Sequence, residues 1–126
     1  MNDDDMTGRV ERAFVEETQT DFVGLWLLVK WVGEDLAHLD AHARRSVTLA
    51  IIRSALEDGY VVPGEFENGR FVPWEMPSVE TVERIDRAWT TLGRDPDIGE
   101  IAWFVDPKLL PAFADRNPMG DDWRRA

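Results

Sequence analysis

The spacing of apolar residues along this chain changes repeatedly, and each change marks an element. From Asp21 to Leu36 the run DFVGLWLLVKWVGEDL is apolar nearly all round a helical wheel. Phe22, Leu25, Trp26, Val29, Val32 and Leu36 share one arc, while Val23, Leu27, Leu28 and Trp31 occupy most of the rest. Only a strip holding Lys30 and Glu34 reads as wet. A helix of this kind is covered from two sides, so the core is expected here. Thr20 or Asp21 stands where an N-cap oxygen belongs.

The neighbouring segments are read against that helix. Residues 1–6 form an acidic tail, and a short helix is predicted from Thr7 with Val10, Phe14 and Val15 inward. After a connection over 38–41, Asp40 caps a further helix that reaches Asp58 and stops at Gly59. Val47, Ala50, Ile51, Ser54 and Ala55 make one face of it, and Leu49, Ile52 and Leu56 another. Ser46, Arg53 and Glu57 are left for water. Two consecutive, nearly all-round apolar helices with a short connection predict a buried helical hairpin.

Beyond Gly59 the period drops to two. Tyr60-Val61-Val62, the punctuation of Pro63-Gly64, and then EFE-NG-RFV predict a β-hairpin. Asn68-Gly69 suits a two-residue turn, because both central residues need positive φ. The register then places Glu67 beside Arg70 and Phe66 beside Phe71. After PWEMP, Ser78 caps an amphipathic surface helix with Val82, Ile85, Trp89 and Leu92 in one stripe. Glu80/Arg84 and Glu83/Arg87 are i,i+4 pairs on its outer side, and Gly93 ends it. IAWFV (101–105) is apolar throughout and reads as a central strand that makes the hairpin a three-stranded antiparallel sheet. Pro107 opens a last short helix with Leu109, Leu110 and Phe113, and residues 115–126 read as a C-terminal tail pinned by Trp123. The expectation is an α+β fold in a single domain over 7–114.

Charge changes the picture more than hydropathy does. The chain of 126 residues carries 25 acids and 14 bases, a net charge of −11, and both halves are acidic. Such a field repels a nucleic-acid backbone and attracts a basic protein. Absence of cysteine removes disulfides, thiol catalysis and thiolate metal sites, and suits a cytoplasmic protein. Acidic residues 3–5 oppose a secretory signal, and the apolar run Phe22–Val29 is far short of the ~20 residues a membrane span needs. Twelve arginines against two lysines fit a GC-rich bacterial genome.

Candidate chemistry is sparse. Helix, Gly59 and hairpin follow the local order of a winged-helix DNA reader, with Arg44, Arg45 and Arg53 on the candidate reading helix; Glu65 and Glu67 make the wing acidic, which argues against phosphate contact. His38 and His42 are four apart, but with the connection between them and no cysteine or HExxH they are not read as a metal site. Asp95, Asp97, Gly99 and Asp106 echo a calcium loop yet put Glu100 where its glycine belongs. Phosphate-loop, dinucleotide and nucleophile-elbow motifs are missing, so no catalytic residue and no cofactor are assigned. Glu75, between Trp74 and Met76, is the one acid whose neighbours suggest an apolar pocket.

The remaining signal is surface recognition. Six tryptophans are many for this length. Phe71, Trp74 and Trp103 lie near Glu65, Glu67, Glu75, Asp95, Asp97 and Glu100 in sequence, which is the composition of an aromatic site with an acidic rim. The leading expectation is a non-enzymatic, antidote- or adaptor-like binder of a basic protein partner. A homodimer or other homo-oligomer with tryptophans across its axis, and a small-molecule binder or enzyme with a tryptophan-lined pocket, are the alternatives.

Overall fold

The computed structural model describes residues 2–113. In chain order these form α1 (Asp3–Thr18), β1 (Val23–Gly24), α2 (Leu25–Asp35), α3 (Ala41–Glu57), β2 (Val62–Glu67), β3 (Arg70–Pro73), α4 (Ser78–Leu92), β4 (Trp103–Val105), a 3₁₀ turn (Pro107–Leu109) and a single turn α5 (Leu110–Phe113). The four long helices and an antiparallel sheet of order β1-β4-β2-β3 make the fold α+β. The expected tail at 115–126, Trp123 included, lies outside the described residues.

The helical layer follows the apolar pattern. Val10 and Phe14 of α1 are buried, as are Leu25, Leu28 and Val32 of α2 and Ile51, Ile52 and Ala55 of α3. α3 packs on α2, α1 and α4, so the expected helical hairpin is central. Lys30 and Glu34 sit on the wet strip, and Asp40 accepts the Ala43 N–H at 2.8 Å as the expected cap of α3. α1 starts at Asp3, four residues ahead of the expected Thr7. Asn2 caps it by accepting the Asp5 N–H, and Asp3, Asp4 and Asp5 face the positive end of the helix dipole.

The central helix starts later than its wheel implies, at Leu25. Val23 and Gly24 are extended because β4 supplies backbone partners there, with Val23 opposite Phe104 and Gly24 opposite Trp103. Asp21 accepts the Phe22 N–H, Thr20 donates back to the Glu17 carbonyl, and the N-cap position of α2 belongs to Gly24. Strand alternation then sends Val23 to the helical core and Phe22 through to the opposite face. β1 thereby adds a fourth strand to the expected three.

The hairpin has the expected register: Glu67 opposes Arg70, Phe66 opposes Phe71, and Asn68 and Gly69 both have positive φ. Pro63-Gly64 does not interrupt it; β2 runs through both. A residue's N–H and C=O point to the same side of a strand, and the Pro63 carbonyl accepts from Trp74 N–H at 2.9 Å. The N–H that Pro63 lacks therefore falls where β3 is ending, and no bond to β4 is lost. β4 is interior as expected, with Ala102 and Phe104 toward the helices and Trp103 and Val105 on the far face. On that face Phe22, Phe66, Phe71 and Trp103 meet with ring centroids 5.0–5.6 Å apart, and Leu109 and Leu110 pack against them.

α4 buries Ile85 and Trp89, and Gly93 ends it with φ 73°. Pro77 holds the N-cap position and Ser78 is the first helical residue, so the expected serine cap is not formed. Arg84 pairs with Glu65 at 3.3 Å, across to the hairpin and not along its own helix to Glu80.

Candidate functional site: the loop 93–102

Three of the acids named from sequence are together on one loop, between α4 and β4. Asp95 and Asp97 are exposed and Glu100 is half-buried. Arg94 grips Glu100 with two prongs, Nη1 to Oε1 at 2.7 Å and Nη2 to Oε2 at 3.0 Å. The same Oε1 accepts the Asp97 N–H at 2.7 Å, and the Asp97 carboxylate accepts the Ile98 N–H at 2.8 Å. Planar two-pronged pairing fixes orientation as well as distance. With Pro96 buried beneath, the loop is tied at both ends and in the middle.

Its exit is strained. Gly99 and Ile101 have φ of 79° and 71°, and Ala102 N–H donates to the Glu100 carbonyl at 2.9 Å, closing a three-residue turn around Ile101. Glycine takes positive φ freely, whereas a β-branched residue there is an outlier. That strain costs on the order of 1–3 kcal/mol and persists only where the surroundings over-determine it. Ile101 packs on the main core, and the Ala102 carbonyl accepts the first N–H of α2, from Leu25, at 3.0 Å. The product is a tied loop presenting Ile98, 53 % exposed and the most exposed large apolar side chain among the described residues, directly after Asp95 and Asp97 in the chain.

The hydrogen bonds from Arg94, then from the Asp97 amide, push the Glu100 carboxyl down to about 2 from an ordinary 4.5. The same contact raises Arg94. A folded-state value below the unfolded one means that the clamp's contribution is complete above pH 4.5 and is lost as pH falls through about 2. Side-chain NMR of Glu100 should show this low midpoint, with the Asp97 amide moving in parallel; a midpoint near 4.5 would remove the clamp.

The aromatics named with these acids are placed elsewhere. Phe71 and Trp103 belong to the far-face cluster, and Trp74 to the main core, at 6, 8 and 7 % exposure. The Trp74 indole donates to Glu65 and lies 3.8 Å under the Arg84 guanidinium. They fill the chain's own interior because each finds apolar neighbours on one face of the sheet. Glu75 is exposed, so Trp74 and Met76 do not enclose it. The other candidates are taken up by contacts within the chain. His38 pairs with Asp3 at 2.7 Å, Asp106 caps the 3₁₀ turn through Lys108 N–H, and Arg53 pairs with Glu57. Among the described residues no group of three or more His, Cys, Asp or Glu is placed to hold a metal ion, and no helix is long and apolar enough to cross a membrane.

Compared with protein families, characterised proteins and solved structures, the chain matches none. The site therefore rests on geometry. Arg94, Ile98 and Ile101 were missed from sequence. Ile98 carried a signal, as a lone apolar residue inside the turn-forming run DPDIG; the φ of Ile101 carried none.

Proposed function

We propose that this protein is a non-enzymatic interaction module that offers the loop Asp95–Gly99 to a basic protein partner. The observation that supports it is the exposed Ile98 held beside the Asp97 carboxylate in a loop tied by the Arg94–Glu100 clamp and the strained turn at Ile101. Binding residues are disproportionately on loops held by a rigid scaffold, and a loop ordered beforehand loses little entropy when it docks. Ile98 is the apolar anchor of this reading; Asp95 and Asp97, which precede it, are its charged neighbours, suited to a partner with an apolar socket beside basic groups. The chain's acidity would speed that encounter.

The test is capture from a lysate of the native host at low and high salt, with wild-type bait, an Ile98→Ser/Asp95→Asn loop variant, and Tyr60→Ser as a surface control. A basic protein held at low salt, released at high salt, held by the Tyr60 variant and weakened about 30-fold by the loop variant is the expected result. Equal capture by the loop variant, or capture of no basic protein, would overturn the proposal.

A further inference from the structure

A surface that adjoins this loop, sharing Arg94 and Asp95 with it, gathers cations instead. Three adjoining hollows of about 330, 380 and 330 Å³ run along the seam of α2, the first turns of α3 and the end of α4. Lys30, Arg44, Arg45, Arg94 and His42 line them, against only Asp86 and Asp95. In a chain with 25 acids and 14 bases, a concave surface with more cations than acids is the exception.

The cations differ in what answers them. Arg45 is engaged by the Asp86 carboxylate and carbonyl and by Thr90 Oγ1, and it also lies over the Trp89 ring at 5.0 Å. Arg94 is held by Glu100. Lys30 meets Glu34 only at 4.0 Å, with both side chains about three-fifths exposed, a pair that contributes little in water. Arg44 is half-buried, and the contact it makes is to the uncharged carbonyl of Leu39. Among the described residues no carboxylate pairs with it. Arg44 and Lys30 line the same hollow, beside the apolar Val29 and Trp89, with Arg45 and the exposed Asp95 also on its wall. A partly desolvated guanidinium that lacks an internal counter-ion favours an anion from outside, and its planar fork matches a phosphate or carboxylate.

We infer that this seam is a binding site for a small organic anion, its phosphate or carboxylate set against Arg44 and Lys30 and its apolar part against Val29 and Trp89. The volume is that of a small-molecule site, which typically spans ~300–1,000 Å³. The inference does not rest on the partner-binding proposal, and the two fail separately.

Amide NMR titration with phenyl phosphate and with benzoate, at constant ionic strength, tests it. Saturable shifts at Gly33, Ala41 and Thr48 with either probe are expected, and the tighter probe names the head group. Arg44→Gln should weaken binding about 10-fold or more, the size of a lost charge-assisted contact. Lys30→Gln, at an exposed position that leaves the fold intact, should weaken it several-fold. Shifts that do not saturate with either probe, that spread over the far face of the sheet, or that persist unchanged in both variants would overturn the inference.

Discussion

Phe104→Ala is expected to destabilise the protein by about 4 kcal/mol, the largest effect of any single truncation. Phe104 is fully buried in the interior strand, opposite Val23 on one side and Pro63 on the other. Its ring meets that of Phe14 edge-on, at 5.3 Å and 80°. Removing it costs the transfer free energy of the ring, an aromatic pair, and a cavity that sheet and helix cannot both close. Domains are stable by ~5–15 kcal/mol, so the variant would retain from about one-fifth to nearly three-quarters of that. Thermal melts followed by circular dichroism should fall by on the order of 15 °C. A fall of only a few degrees would mean that α1 is not seated on the sheet as described.

Gly64→Ala should cost about 3 kcal/mol, although it adds one methyl group. Gly64 lies between β3 and β4, opposite Pro73 and Trp103. A Cβ on it would come 2.6 Å from the Phe71 ring and closer still to the Val72 backbone oxygen. The ring could turn only by disturbing Phe22 and Phe66, and the carbonyl belongs to the hairpin ladder itself. The melt should drop by on the order of 10 °C. Gly8→Ala is the control, since in α1 a Cβ there meets nothing within 4 Å. It should gain about 0.5–1 kcal/mol from helix propensity. Equal effects of the two substitutions would remove the close packing assigned to Gly64.

The two predictions also divide what is local from what is not. α3 was legible because its cap, its apolar faces and its terminal glycine are all within one helix. Asn68-Gly69 fixed the hairpin register because positive φ at two adjacent positions admits few sequences. The candidate site was legible only in part. Asp95, Asp97 and Glu100 stood out by composition, while the Arg94 clamp and the Ile101 turn depend on where the loop is tied.

The sequence by itself determined the fold class, the helical core, the hairpin and the acidity, since periodicity, turn chemistry and charge are properties of neighbouring residues. Tertiary structure alone decided which aromatic residues are surface and which are core. Phe71, Trp74 and Trp103 have the composition of an interface, and burial went to them because the sheet has apolar cover on both faces. It also decided that Phe22 leaves the helix its periodicity suggests. A strand partner about eighty residues away outcompetes the helical hydrogen bonds at Val23 and Gly24, and no local pattern records that partner.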